Sequence, residues 1–273
     1  MKRLTTLTLL YGLLLMGTAL TLLPLFWMLM ASLMPTGLAN AFPPRLLPDT
    51  FTFEHYQTLF TRLELTRYLF NSALLAIAVT IIALLLNSMA GYAFAKLRFS
   101  GREGIFRVLL SALVIPAQIG VLPLFLMLKY LGFINTYFGI IIPGMASIFG
   151  IFLIHQYALS IPDSLLDAAR IDGAGEFRIY WSVVLPLCKP ILITLVLFTF
   201  MGTWNDFLWP LIVMTDDTMY TLPVALANLL GEHVQDTELM MAGAVLTVLP
   251  VMLVFVVLQR HYLEGISIGA IKG

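Results

Sequence analysis

The chain has 273 residues, of which 60% are hydrophobic and 11% are charged, with a formal net charge of zero. A soluble domain carries about 25% charged residues, so this composition excludes a water-soluble protein and makes membrane lipid the solvent for most of the chain. Zero net charge gives no electrostatic basis for binding nucleic acid, and one cysteine, Cys188, excludes an internal disulfide framework.

Six apolar segments are long enough to cross a bilayer, since a span needs about 20 mostly apolar residues. The first follows a basic start at Lys2 and Arg3, and its apolar run is longer than the hydrophobic region of a signal peptide, which predicts a retained span. The fifth contains Pro210, which neighbouring helices can accommodate. The predicted spans lie at 8–33, 70–95, 105–128, 137–158, 190–213 and 240–259.

The distribution of Lys and Arg predicts the orientation, because cytoplasmic loops of membrane proteins are enriched in basic residues. Six spans place both termini on one side of the membrane. With the N-terminus inside, the four external basic residues are Arg45, Arg62, Arg67 and Lys129. The eleven internal ones are Lys2, Arg3, Lys96, Arg98, Arg102, Arg107, Arg170, Arg178, Lys189, Arg260 and Lys272. This asymmetry predicts a multi-pass protein with both termini in the cytoplasm.

A charged segment, residues 160–186, separates the fourth and fifth predicted spans and predicts a helix–turn–helix on the cytoplasmic side. Ser160 is the expected N-cap of its first helix, because Pro162 and Asp163 suit a first helical turn. Gly173 follows the helix-forming stretch and is placed to end it in a left-handed conformation.

A second, amphipathic helix is predicted to run from about Glu176 to Pro186. Its apolar face is predicted to contain Phe177, Tyr180, Trp181 and Val184. The residues leave two interpretations of the charged segment open: a docking surface for another protein, or an amphipathic piece lying on lipid headgroups. The side chains that offer charge for docking on one stripe of the first helix are Asp163, Asp167 and Arg170. The excess of acidic over basic residues weighs against binding to anionic lipid.

The charged segment resembles the EAA motif of membrane subunits of bacterial binding-protein-dependent ABC importers. That motif reads Glu-Ala-Ala, three residues, Gly, nine residues and Ile-x-Leu-Pro, and this chain has DAA at 167–169, Gly173 and VVLP at 183–186. The spacing matches, while Asp replaces Glu and Val replaces Ile. The resemblance implies a coupling helix that sits in a groove of a cytoplasmic ATPase. The implied ATPase-coupling residues are Asp167, Ala168, Ala169, Asp172, Gly173, Leu185 and Pro186.

Five further stretches resemble the carbohydrate-importer branch, in particular the six-span subunit of a maltose-type heterodimer. They are FNSALLA at 70–76, AGYAFAKLRFSGR at 90–102, IPAQIGVLPLF at 115–125, WNDFLWPL at 204–211 and QRHYLEGISIGAIKG at 259–273. The resemblance implies an all-α membrane protein with the type I ABC importer permease fold, six transmembrane helices and a cytoplasmic coupling helix. It also implies three regions: an N-terminal span and external loop at 1–69, an ABC transmembrane type-1 domain at 70–260 and a cytoplasmic C-terminal tail at 261–273.

The same resemblance implies the partners. The C-terminal tail is implied to contact the ATPase through Gln259, Arg260, Gly269 and Lys272. The chain lacks a Gly-x-x-x-x-Gly-Lys-Ser/Thr phosphate loop, so it is expected to be a non-catalytic permease subunit without a cofactor of its own. ATP and Mg²⁺ are expected to be used by a partner ATPase dimer. The other implied partners are a second homologous permease subunit and an extracytoplasmic solute-binding protein.

The expected activity is import of a sugar or sugar-like solute, such as an oligosaccharide, a polyol or glycerol phosphate, across the bacterial plasma (inner) membrane. The alternative is a secondary transporter of small polar solutes, a class in which internal repeats are common. The chain shows no convincing internal repeat. The charged segment would also lack a purpose in such a transporter.

Polar residues within the apolar spans are candidates for a substrate path or gate. Asp206 is an acid within an apolar run, and with Trp204 and Asn205 it combines an aromatic face with hydrogen-bonding groups, which suits a sugar. The alternative is that these residues pack helices or anchor them at the outer interface. The candidate set is Asn87, Gln118, Trp204, Asn205 and Asp206. The four histidines lack metal-ligand spacing, so no metal site is expected.

Overall fold

The structure, a computed structural model, describes residues 2–42, 46–61, 64–232 and 236–270, and these ranges contain helices and no strands. The first seven helices are α1 (Lys2–Ala31), α2 (Glu54–Thr61), α3 (Leu65–Lys96), α4 (Arg102–Ala112), α5 (Val121–Tyr130), α6 (Phe138–Gly144) and α7 (Ile148–Leu159). The others are α8 (Asp163–Ile171), α9 (Glu176–Leu187), α10 (Lys189–Trp204), α11 (Leu208–Val213), α12 (Leu222–Glu232) and α13 (Thr237–Ala270).

Six helical segments account for the predicted spans. The four that are long and apolar enough on their own are Thr6–Ala31, Leu65–Lys96, Phe138–Leu159 and Thr237–Gln259. Two bent pairs pass the same test of length and composition when each is taken together: Arg102–Ala112 with Ala117–Tyr130, bent by 96°, and α9 with α10, bent by 80°. The second pair begins in the charged segment, and the predicted fifth span, 190–213, corresponds to α10 and α11. The all-α prediction is therefore confirmed, with six spans in the described residues when each bent pair counts as one, and the third span predicted at 105–128 contains a sharp bend.

The break in the third span has a local cause. Pro116 has an extended backbone (φ −58°, ψ 128°) and stands before a short 3₁₀ helix, Ala117–Gly120. Proline also disfavours the helical conformation in the residue before it, Ile115. α4 therefore ends at Ala112, although hydropathy alone runs through the break.

The fifth predicted span, 190–213, is also divided. α10 ends at Trp204, and a carboxylate oxygen of Asp206 accepts a hydrogen bond from the Trp209 backbone N–H at 3.4 Å, in the first turn of α11. Asp competes with regular helix by bonding nearby backbone N–H groups in this way, so it favours helix starts over helix interiors.

Asn87 holds the break between α6 and α7. Its side chain is fully buried, and its Oδ1 accepts the Ser147 N–H at 2.9 Å. The Ser147 hydroxyl in turn accepts the Gly150 N–H at 3.0 Å as the N-cap of α7. Buried polar groups at this break are thus satisfied inside the protein.

The chain divides into two compact units, residues 1–67 with 225–250, and residues 68–224 with 251–273. In the first unit, a small core of Ala31, Met34 and Ala39 lies at the end of α1. The most apolar 18-residue stretch of α1 contains no buried residue. The predicted division at 1–69, 70–260 and 261–273 stays a prediction.

The second unit contains the charged segment and the candidate substrate path. One of its core clusters, around Leu75, Val79, Ile140 and Met214, joins α3 to α6 and to the end of α11. Another packs the charged segment against α3 and α10, and its buried members are Tyr92, Ile161, Leu166, Ile179, Tyr180, Val184 and Cys188. Burial of apolar side chains on this scale fixes the segment to the protein rather than leaving it as a free loop.

Candidate functional site

The charged segment folds as the predicted helix–turn–helix. Gly173 has φ +81°, the left-handed conformation that glycine adopts without steric cost. The Ala174 N–H donates to the Ala169 carbonyl and the Gly173 N–H to the Arg170 carbonyl, both at 3.0 Å. This pair of bonds is a Schellman motif, which ends α8 and satisfies its last carbonyls.

The N-cap prediction for α8 is wrong. The Ser160 hydroxyl donates to the Tyr157 carbonyl at 2.7 Å, so Ser160 closes α7 instead. Pro162, with extended backbone, occupies the N-cap position and Asp163 lies in the first turn of α8. Only Ile161 separates the C-cap of α7, Ser160, from the N-cap of α8, Pro162, and the serine side chain bonds to α7.

The predicted apolar face of the second helix is only half correct. Tyr180 and Val184 are buried, but Phe177 and Trp181 are 65% and 45% exposed. Residues Tyr180–Val184 form a π-helical turn, which changes the angular spacing of side chains relative to an α-helix. The helix also continues through Pro186 to Leu187, where the bend toward α10 follows.

Arg170 joins the two helices of the charged segment. Its Nη1 donates to Asp167 Oδ1 at 2.8 Å within α8, and its Nε donates to Glu176 Oε1 at 2.9 Å at the start of α9. The hydrogen bond to Glu176, followed by that to Asp167, raises the pKa of Arg170 above its usual value. The predicted stripe of docking charges is therefore engaged within the chain as well as exposed.

Lys96 holds the other end of α8. Its Nζ donates to the Ile161 carbonyl and to Asp163 Oδ1, each at 2.7 Å. The Lys96 side chain is 7% exposed and that of Asp163 is 77% exposed, so the ammonium is buried and the carboxylate faces water. The hydrogen bond from Lys96 lowers the pKa of Asp163 below its usual value.

The predicted coupling residues divide into two groups. Asp167, Ala168, Asp172, Gly173 and Pro186 are exposed. In contrast, Ala169 and Leu185 are half-buried and pack on the buried cluster under the segment. The first group is available to a partner, whereas the second holds the segment in place.

The structure adds exposed apolar side chains to the candidate surface. Leu165, Ile171 and Phe177 are 46%, 86% and 65% exposed. The amphipathic pattern assigned Phe177 to the buried side, and the motif does not include Leu165 or Ile171. In the sequence, Leu165 and Ile171 are marked only by their positions beside the motif residues, and no apolar periodicity predicts that they are buried.

A polar cleft of about 880 Å³ opens beside the charged segment. The charged side chains that line it are Lys96, Arg98, Arg102, Asp163, Asp167, Arg170 and Glu176. The cleft therefore carries both basic and acidic groups.

The predicted C-terminal contact residues lie on or beyond one long helix. Gln259, Arg260 and Gly269 all fall within α13, which continues to Ala270. Lys272 lies outside the described residues.

The structure does not bring the five substrate-path candidates together. Asp206 lines a cavity of about 350 Å³ between α3, the Ala117–Gly120 turn, α5, α6 and the end of α10, and the other four candidates do not line this cavity. Gln118 and Asn205 are exposed. Trp204 is buried and stacks on Phe200, with ring centroids 5.8 Å apart. Asn87 is committed to Ser147, as described above.

Two cavity residues were absent from the predicted set. Thr203 and Trp209 line the same cavity as Asp206. The indole N–H of Trp209 donates to the Gly139 carbonyl at 3.0 Å, which fixes the ring at the cavity wall. The signal for Trp209 in the sequence is its place in the WNDFLWPL stretch at 204–211, which resembles the carbohydrate-importer branch.

Comparison with known proteins gives consistent results. The family described as binding-protein-dependent transport system inner membrane component matches residues 87–267. The chain is 36% identical to the arabinooligosaccharides transport system permease protein AraQ of Halalkalibacterium halodurans, over 92% of this chain and 91% of that protein. It is 33% identical to the diacetylchitobiose uptake system permease protein NgcG of Streptomyces coelicolor, over 96% and 88% respectively.

A solved structure agrees in fold as well. A chain from a bacterial ABC transporter involved in the import of the acidic polysaccharide alginate superposes with a TM-score of 0.84 at 25% identity. The match covers 95% of this chain and 97% of that chain. The agreement in fold therefore extends over nearly the whole chain.

Proposed function

Because the chain belongs to the family of binding-protein-dependent transport system inner membrane components, we propose that it is a permease subunit of an ATP-driven ABC importer. Its solute is a sugar or a sugar-like molecule, carried across the bacterial inner membrane. The similarity to permeases named for arabinooligosaccharide and diacetylchitobiose uptake supports this class of solute.

The observation that carries the proposal is the folded and exposed form of the charged segment. α8, its Schellman turn and α9 are held on a buried cluster, and Asp167, Ala168, Asp172 and Gly173 remain exposed on the surface. Ile171, 86% exposed, adds an apolar contact in the last turn of α8. A surface of charged, small and apolar groups on a fixed scaffold suits protein docking. The partner is the ATPase dimer that supplies the energy.

Two further partners complete the transporter. The family description names a binding protein, which supports an extracytoplasmic solute-binding protein that delivers the solute. A second homologous permease forms the other half of the translocation path. ATP and Mg²⁺ are used by the ATPase, and this chain has no catalytic role.

The orientation follows from the position of the basic residues. The end of α3 and the start of α4 carry Lys96, Arg98, Arg102 and Arg107, and Lys96 contacts the charged segment directly. This cluster therefore lies on one side of the membrane with the segment, and the enrichment of basic residues there indicates the cytoplasmic side. Both termini lie on that side as well.

Reconstitution with the ATPase, the second permease and the binding protein tests the proposal. Asp167→Lys reverses an exposed charge, and like charges brought together at an interface cost several kcal/mol. Gly173→Val places a β-branched residue at φ +81°, which is strained. We expect either variant to insert but to lose the ATPase on purification, or to retain it with hydrolysis that no longer responds to solute.

Matched variants separate docking from folding. Gly132 also has a positive φ, +76°, with nothing within 4 Å of an added Cβ, so Gly132→Val carries the same strain away from the segment. Gly173→Asn tolerates the left-handed conformation and should retain the ATPase. Normal ATPase retention and normal solute stimulation in both Asp167→Lys and Gly173→Val would refute the proposed coupling surface.

A further inference from the structure

Three polar side chains of α3 bond to the charged segment at successive turns of the helix. Ser88, Tyr92 and Lys96 are four residues apart, so they lie on one face of α3. We call these residues the polar ladder.

Each residue of the polar ladder has a different partner in the segment. The Ser88 hydroxyl bonds the Tyr180 hydroxyl at 2.7 Å. The Tyr92 hydroxyl donates to Glu176 Oε2 at 2.7 Å. The Lys96 ammonium donates to Asp163 at the start of α8 and to the Ile161 carbonyl before it. The ladder therefore fastens the first turn of α8, the first turn of α9 and the middle of α9.

Arg170 extends the ladder to the exposed surface. Arg170 donates a hydrogen bond to Glu176, whose other carboxylate oxygen accepts from Tyr92. Arg170 also donates to Asp167. A displacement of Asp167 or of the Schellman turn is thus passed through Arg170 and Glu176 to the last turns of α3 without crossing a flexible linker.

Burial makes these contacts costly to break. Ser88 and Tyr92 are 2% and 3% exposed, and the Lys96 side chain is 7% exposed. A buried ammonium that loses its carboxylate partner is left as an uncompensated charge. The contacts of the polar ladder therefore favour one arrangement of the charged segment on α3 and oppose sliding of the segment along that helix.

From these contacts we infer that Ser88, Tyr92 and Lys96 are positioning residues that make the charged segment and the span Leu65–Lys96 move as one body. The inference rests on the proposed function, since it specifies how movement imposed on the segment by an ATPase reaches the membrane-spanning helices. The ladder does not form the docking surface, because its side chains are buried while Asp167, Ala168 and Asp172 are exposed.

Two substitutions test the inference in the reconstituted importer. Tyr92→Phe keeps the ring and removes one hydroxyl, and Lys96→Met keeps most of the apolar stem and removes the ammonium. The measured quantity is the number of solute molecules transported per ATP hydrolysed, together with ATPase retention on purification. We expect wild-type retention and a ratio reduced about tenfold, the size of effect given by one hydrogen bond to a charged group.

Controls exclude a general effect on folding. Tyr130→Phe removes a hydroxyl from a residue that is 92% exposed, and Arg107→Met removes a cation whose side chain is 78% exposed; both should keep the wild-type ratio. Lys96→Arg retains a donor for Asp163 and should restore most of the ratio lost in Lys96→Met. A merely structural role would lower the amount of complex and leave the ratio unchanged.

The outcomes distinguish the inference from the proposed function. If the wild-type chain retains the ATPase and transports solute, but Tyr92→Phe and Lys96→Met keep the wild-type ratio, the inference is wrong and the proposed function stands. If the wild-type chain neither retains an ATPase nor stimulates it, the proposed function itself is wrong. If Lys96→Met does not assemble, Tyr92→Phe alone decides.

Discussion

Asp206 has two tasks in this structure. Its carboxylate accepts the Trp209 N–H at the start of α11, and it lines the 350 Å³ cavity with Thr203 and Trp209. An aromatic ring, a hydroxyl and a carboxylate at one cavity wall match the apolar faces and hydroxyl groups of a sugar. The residue therefore joins a structural role to a candidate role in the solute path.

Asp206→Asn separates these roles, because Asn keeps an acceptor for Trp209 and removes the charge. We expect unchanged membrane levels and a roughly tenfold higher solute concentration for half-maximal uptake, since hydrogen bonds to a carboxylate are stronger than those to an amide. Uptake against solute concentration, normalised to membrane level, measures this. Asp217→Asn, at an exposed position, is the control. Identical curves for wild type and Asp206→Asn would restrict Asp206 to starting α11.

A polar residue within an apolar span marks a position with a specific role, but the sequence does not show what that role is. Asp206 was predicted as exceptional, and it does line a cavity. Asn87 and Trp204 were chosen by the same criterion, but one satisfies the backbone at a helix break and the other stacks on Phe200. The Asn87 contact joins residues 60 positions apart, so spacing along one segment carries no information about it, whereas Trp204 stacks on a residue of its own helix.

Helix α3 approaches α7 through a glycine. A Cβ added at Gly91 would lie 2.6 Å from two side-chain atoms of Ile154 and 3.0 Å from the His155 backbone nitrogen. Because Ile154 is fully buried, it has little room to move, and the two helices would have to separate.

Gly91→Ala should therefore destabilise the protein by about 1–3 kcal/mol, the usual cost of overpacking. Gly104→Ala is the matched control: it lies in α4 with nothing within 4 Å of the added Cβ, and Ala favours helix over Gly by about 1 kcal/mol. Thermal unfolding of the purified chain in detergent should move down for the first variant and up or not at all for the second. A higher melting temperature for Gly91→Ala would contradict the close approach.

Local chemistry predicted some elements and failed at others for identifiable reasons. Gly173 was predicted because few other residues end a helix so readily in a left-handed conformation. The prediction of Ser160 as the N-cap of α8 failed because the hydroxyl can bond to either of two helix ends, and the sequence does not indicate which one it bonds. The fastening of Glu176 to Tyr92 joins residues 84 positions apart, so only the folded chain reveals it.

At the scale of the whole molecule, composition predicted the class and the number of apolar segments, but not their shape. Averaging hydropathy over about 20 residues conceals the breaks after Ala112 and Trp204, because the residues around each break are themselves apolar. The 96° bend after Ala112 results from a few backbone-directing residues around Pro116, whose effect on hydropathy is small, and the 80° bend lies between α9 and α10.

The orientation proposed for the chain is open to a direct test. A reporter inserted after Ser100 or Asp172 should behave as cytoplasmic, because the enclosing loops are rich in Lys and Arg. One inserted at Asp217, in a loop with no Lys or Arg, should behave as external. Paired reporters active only inside or only outside the membrane give the answer, and a cytoplasmic signal at Asp217 would overturn the six-span topology.

The Schellman turn has a consequence for dehydration when a partner covers it. The carbonyls of Ala168, Ala169 and Arg170 already accept hydrogen bonds from the backbone N–H groups of Asp172, Ala174 and Gly173, respectively. Removing water from this turn, the tip of the charged segment, therefore leaves none of these three carbonyls without a partner. An open helix end would lose hydration at each bare carbonyl, at roughly 1–3 kcal/mol per group. Under the proposed function, the tip therefore enters and leaves a dry groove of the ATPase at low energetic cost.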